Sequence, residues 1–189
     1  LTVNAAPTPD FTIGTSGGNS QTVTKGANAV YTVTITPQNG FNSSVDLSII
    51  SGLPAGAIAG FSSDPIPNGS GSSTLTIDTS GSATGGPVTL TVQGTGGGQT
   101  HSVQVSLTVN PVPTPDFTVT SSTGPQTVTK GTNAVYAVSI NRTGGHTASV
   151  DLSVSGLPSG ATASFSPDPT TGGSSTLTVN TTNSATGGP

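Results

Sequence analysis

Apolar and polar residues alternate along this chain with a period of two, in many short stretches. Ala29, Tyr31, Val33 and Ile35 fall on one face, with Thr32 and Thr34 opposite. Val45, Leu47 and Ile49 share a face, with Asp46 and Ser48 outside. Leu75 and Ile77 predict a short strand, Val88, Leu90 and Val92 another, and Val103, Val105, Leu107 and Val109 a long last one. Phe11–Ile13 and Val23 predict a first strand split in two. Gly- and Pro-rich turns separate these segments, and no stretch places apolar residues at the i, i+3, i+4 spacing of a helix. About seven short strands in ~100 residues is the pattern of a β-sandwich. The predicted core of this first set is Leu53, Phe61, Tyr31 and Leu75, with Phe41 left outside it.

The pattern then repeats. Pro9-Asp10-Phe11-Thr12 returns as Pro115 to Thr118, and Gln21-Thr22-Val23-Thr24-Lys25-Gly26 as Gln126 to Gly131. Val45-Asp46-Leu47-Ser48 returns as Val150 to Ser153, and Ser51-Gly52-Leu53-Pro54 as Ser155 to Pro158. Ser72 to Thr76 returns as Ser174 to Thr178, and Ser82 to Pro87 as Ser184 to Pro189. The offset drifts from 106 to 102. A period of that size is a domain in tandem, not a solenoid of short repeats.

The frame predicts a division of the chain. Leu1-Thr2-Val3-Asn4 equals Leu107-Thr108-Val109-Asn110, so residues 1–4 read as the end of a preceding repeat's last strand. Residues 5–9 and 111–115 are Pro-rich linkers, expected to be extended, semi-rigid spacers. Repeat 1 spans 10–110. Repeat 2 spans 116–189 and lacks the counterpart of Val88 to Ser106, its last two strands. The expectation is an all-β chain of tandem Greek-key sandwiches, the second incomplete. Its partners would be adjacent repeats or copies of itself, arranged head to tail.

Composition narrows the chemistry. Only 30% of residues are hydrophobic, and Trp, Met and Cys are absent, which suits a thin sandwich core and excludes disulfides and thiolate metal sites. Charged residues make up 5%, with a net charge of −4. No basic cluster exists to neutralise phosphates, which excludes nucleic acid and disfavours an anionic membrane. A surface of hydroxyls and amides with so few charges is common outside cells, so the expected location is extracellular. No run approaches the ~18 apolar residues of a membrane span, no leader opens the chain, and Leu1 reads as a mature or trimmed end.

Gln-Thr-Val-Thr-Lys-Gly, Tyr in a Thr/Val strand, Ser-Gly-Leu-Pro-x-Gly, Phe-Ser-x-Asp-Pro and Ser-Ser-Thr-Leu-Thr occur here in a fixed order. In that order they resemble the bacterial immunoglobulin-like repeats of large surface proteins and secreted hydrolases. The resemblance covers both repeats and implies the immunoglobulin-like fold. It also implies spacing, display or adhesion outside the cell.

The search for catalytic residues finds no partnered nucleophile and no P-loop. His101 and His146 read as isolated exposed side chains, so no enzyme is expected. Asp10 and Asp116, at the linker junctions, are the places where an interdomain calcium ion could sit. No D-x-D spacing supports one, and the expectation is no metal and no cofactor. Lys25 and Asn110 have the residue types of an isopeptide crosslink. That reaction needs a buried acid, Glu is absent and Asp46 faces out, so Lys25 reads as a solvated turn lysine. N-x-[ST] sequons stand at Asn42, Asn68, Asn141 and Asn180, the first three in expected turns.

The reading is a structural, non-catalytic segment of an extracellular filament, stalk or surface adhesin. Its alternatives are a carbohydrate- or protein-binding module and the spacer tail of a secreted hydrolase. Phe41 is the one aromatic left over for stacking on a sugar.

Overall fold

Each alternating stretch of the first repeat becomes a strand. They are β1 (Asp10–Ser16), β2 (Ser20–Thr24), β3 (Asn28–Gln38), β4 (Asp46–Ser51), β5 (Ile58–Phe61), β6 (Gly71–Asp78), β7 (Gly85–Gly96) and β8 (Gln99–Asn110). The structure is a computed structural model. It describes residues 1–182 and divides into two units, Leu1–Val112 and Pro113–Pro189.

Unit 1 is a sandwich of two four-stranded sheets, β1-β3-β6-β5 and β2-β8-β7-β4. The first strand is split as expected. β1 pairs antiparallel with β3 in one sheet, and β2 pairs parallel with β8 in the other. Between them Gly17 and Gly18 take φ of 85° and 108°, which lets the chain cross from sheet to sheet. Four strands on one sheet, three plus a split first strand on the other, is the immunoglobulin-like Greek key. Leu1–Pro9 carries no strand and is exposed.

Alternation sets the core. Tyr31, Val33, Ile35, Leu75 and Ile77 of one sheet face Leu90, Val92, Val105 and Leu107 of the other, all buried. The Tyr31 hydroxyl donates to the Ser106 carbonyl at 2.6 Å, from β3 in one sheet to β8 in the other. A buried Tyr needs such an acceptor. Burial pushes its phenol up to about 12. Thr79 is a second internal tie. Its fully buried hydroxyl accepts the Gly26 N–H at 3.0 Å and donates to the Ala27 carbonyl at 2.6 Å. Thr181 does the same in unit 2 with Gly131 and Thr132.

Two expectations about the core are corrected. Leu53 is 38% exposed, not buried. Next to it Gly52, at φ 85°, lies against the Thr89 backbone where a Cβ would overlap, so the chain turns out of the alternation after β4. Phe41 is 5% exposed and belongs to the core. The Asn39-Gly40 turn, with φ of 51° and 77°, swings it under the end of the sandwich against Phe11, ring centroids 5.1 Å apart. Phe61 is half-buried on β5.

Among the described residues unit 2 has four strands, β9 (Asp116–Ser121), β10 (Ala134–Thr143), β11 (Thr162–Ser166) and β12 (Ser174–Asn180). They form one sheet, β11-β12-β10-β9, the counterpart of β1-β3-β6-β5. Among the described residues unit 2 thus forms one sheet where unit 1 forms two. Gln126–Thr129 repeats Gln21–Thr24 of β2, with Pro125 in place of Ser20, and the 151–155 stretch matches β4, yet neither is a strand. In unit 1 those segments pair only with β8 and β7. Without that hairpin their backbone groups have no ladder to join. The Ser184–Pro189 block lies outside the described residues.

The core assignment is tested by two adjacent positions. Tyr31→Ala is expected to lower unit 1's stability by ~3–5 kcal/mol. Thr32→Ala, on the opposite face, should cost less than about 1 kcal/mol. Urea unfolding followed by circular dichroism reads both, and equal losses would mean that the register of β3 is different.

Candidate functional site

Two of the side chains singled out for chemistry, Asp10 and His101, meet at one end of unit 1, where β1 begins and β8 leaves its turn. Asp10 opens β1, and its Oδ1 accepts the backbone N–H of Phe11 at 2.8 Å. The same oxygen lies 2.7 Å from His101 Nε2 on β8. A carboxylate only accepts, so Nε2 carries the proton in this contact. The His101 ring also stands edge-on to Phe11, centroids 4.9 Å apart at 87°. His101 is thus not the isolated histidine expected from the sequence. Together with Asp10 and Phe11 it clasps β1 of one sheet to β8 of the other.

Both partners are about one-third exposed, with side-chain accessibilities of 37% and 36%. The His101 hydrogen bond, and then the Phe11 N–H, hold the Asp10 carboxyl below its ordinary 3.8. A depressed carboxyl contributes stability that is present above the unfolded value and is lost as pH falls through the folded one. Solvent screening keeps an exposed pair of this kind weak.

In unit 2 the corresponding Asp116 also accepts its neighbour's N–H, from Phe117 at 2.8 Å. His146 takes the place of Phe41 and packs on Phe117, centroids 5.1 Å apart. It is not isolated either. Arg142 Nη1 lies 2.8 Å from His146 Nδ1, and a guanidinium only donates, so Nδ1 is the bare nitrogen. Arg142 donates as well to the carbonyls of Ala148 at 2.7 Å and Thr170 at 2.9 Å, joining two loops. The chain's one Arg has a structural task that its sequence context did not signal.

The remaining candidates do not converge. Among the described residues no group of three or more His, Cys, Asp or Glu comes together as a metal site. Asp64 and Asp168 accept the N–H of Leu47 and Leu152, at 2.8 and 2.9 Å, and so brace the start of β4 and its counterpart. Lys25 adjoins Asn110 through its backbone, N–H to carbonyl at 2.8 Å, but the Asn110 side chain is exposed rather than held beside a buried acid. Asn42 and Asn68 lie exposed outside the strands. Asn141 is not in a turn but on the solvent face of β10, and Asn180 ends β12. An open groove of about 410 Å³ runs along β5 and β6, lined by Ile58, Gly60, Phe61, Thr74, Thr76 and Asp78. Asp78, lowered by the Ser80 backbone N–H, is its one charged group. No helix of the described residues is long and apolar enough to cross a membrane.

Carboxyl titration by NMR tests the clasp. Asp10 is expected to titrate below 3.8 in the intact chain and to move up towards that value in His101→Ala. A midpoint indifferent to the substitution would contradict the pairing.

No protein-family model and no curated protein matches the chain. Among solved structures it is similar to domains 4 and 5 of the S-layer protein SbsC, at 24% identity over 55% of this chain and 54% of that one, TM-score 0.37. It thus spans about half the length of that structure. Domains 5–6 of SbsC match at 18% identity over 96% and 88%, TM-score 0.37. Titin domains Z1Z2, in complex with telethonin, match at 15% over 96% and 85%, TM-score 0.44. These are likenesses of fold.

Proposed function

We propose that the chain is a non-catalytic, load-bearing spacer from an extracellular filament, stalk or surface adhesin, built of immunoglobulin-like domains in series. The observation that carries this reading is the parallel pairing of β2 with β8, from Ser20↔Ser106 to Thr24↔Asn110. Force applied at the two ends of unit 1 enters at β1, passes on to the start of β2 and leaves β8 at its end. Two parallel neighbours pulled that way are loaded in shear, with all their hydrogen bonds sharing the force. An interior filled with aliphatic side chains and tied by Tyr31 and Thr79 suits a spacer better than a catalyst. The motif resemblance to bacterial surface repeats, the Pro-rich 5–9 and 111–115 segments and the scarcity of charge support the extracellular setting. A sugar-stacking role loses its one aromatic candidate, because Phe41 is buried.

Single-molecule stretching of the intact chain tests the reading. Unit 1 is expected to give one cooperative unfolding event, and Val23→Pro in β2 to lower its force by about half, since the register turns the Val23 N–H, like that of Lys25, towards β8 and Pro cannot donate to the ladder. A unit 1 that extends without a force peak, or a peak insensitive to that substitution, would contradict load bearing.

A further inference from the structure

Among the described residues of unit 2, the sheet face that matches one side of unit 1's interior is only partly covered. Phe117 is 36% exposed where its counterpart Phe11 is fully buried. Tyr136, Leu152 and Leu177 are half-buried where Tyr31, Leu47 and Leu75 are buried. The backbone beside this face is unpaired as well. Gln126–Thr129 and the 151–155 segment have no strand partner among the described residues.

Unit 1 shows what such a surface takes. The same Gln-Thr-Val-Thr sequence is there paired with β8, and the matching Asp46-Leu47-Ser48 with β7, at Thr95, Gly94 and Gln93. A single hairpin, β7 antiparallel to β8, therefore satisfies both segments and closes the core with Leu90, Val92, Val105 and Leu107. It also brings His101 to Asp10 and the Ser106 carbonyl to the Tyr31 hydroxyl. In unit 2 Asp116 and Tyr136 stand at those places.

We propose that unit 2 is an acceptor for one β-hairpin of the β7–β8 type. Its second strand lies parallel to Gln126–Thr129 and its first antiparallel to the 151–155 segment. The ligand is specified by its chemistry: two strands of alternating aliphatic and hydroxyl or amide residues, with a His placed to meet Asp116. Another copy of the unit 2 sheet would cover the apolar face but leave both backbone segments unpaired, and unpaired edges invite strand addition. The inference goes beyond the spacer reading and holds whether or not the chain bears load.

The test adds a synthetic peptide of residues Gly85–Asn110 to the intact chain. Titration calorimetry is expected to show saturable one-to-one binding. NMR should show shifts at the amides of Thr127–Lys130 and Asp151–Ser155. Leu107→Asp in the peptide buries a charge in the core and should weaken binding by more than about 100-fold. His101→Ala removes only an exposed pair and should weaken it by about 2–5-fold. These variants leave the acceptor untouched, so its folding is not in question. No binding, equal binding by the Leu107→Asp peptide, or shifts confined to unit 1 would overturn the proposal. Self-association of the chain that the peptide fails to disperse would overturn it in favour of a second copy. Dispersal by the peptide would support it. A weak unit 1 in the stretching experiment touches none of these outcomes.

Discussion

A β-strand persists where a neighbour takes up its backbone N–H and C=O groups, and in unit 1 one hairpin does this for two segments distant in sequence. β8 holds β2 and β7 holds β4. The same hairpin supplies the second layer of the core, the acceptor for Tyr31 and the partner of Asp10. Pairing, burial and polar satisfaction therefore depend on one element. That dependence is why the two units differ more than their sequences do.

The chemistry of the molecule follows from the same economy of charge. Each ionised carboxylate with a resolved contact caps nearby backbone or meets a single histidine, as Asp10, Asp64 and Asp168 do. Arg142 gives its Nη1 and Nη2 donors to carbonyls and His146. The outer faces of both sheets of unit 1 carry Thr, Ser and Gln opposite one another, as in Thr32↔Thr74, Thr89↔Ser106 and Thr91↔Gln104. Hydroxyls of this kind keep a sheet face wet without charge.

Much of the fold was legible in the sequence, because alternation and burial describe the same periodicity. The split first strand, the β3 face of Tyr31, Val33 and Ile35, and the long β8 all follow from it. Phe41 and Leu53 were misread where glycine turns break the period. Phe41 enters the core from outside any strand, and Leu53 leaves after Gly52. The Asp10–His101 clasp joins residues 91 positions apart and has no local signal, since its second member has no counterpart in the other repeat. Thr79 and Thr181 could have been found. A Thr placed at the end of the same strand in both repeats is a candidate for a shared internal bond. That Gln126–Thr129 would not be a strand was hard to read locally, because its letters equal Gln21–Thr24 of β2 and only Pro125, in place of Ser20, differs beside it.

Those identical letters also provide the most direct measurement. Thr22–Lys25 and Thr127–Lys130 share sequence and neighbours, so their intrinsic amide exchange rates are the same. Hydrogen exchange on the intact chain compares them within one sample. Strong protection at Val23 and Lys25, whose N–H groups face β8, and near-intrinsic exchange at Val128 and Lys130 is expected if the β7–β8 hairpin makes the strand. Equal protection in both would show that the segment forms its strand without that hairpin, and would contradict the account.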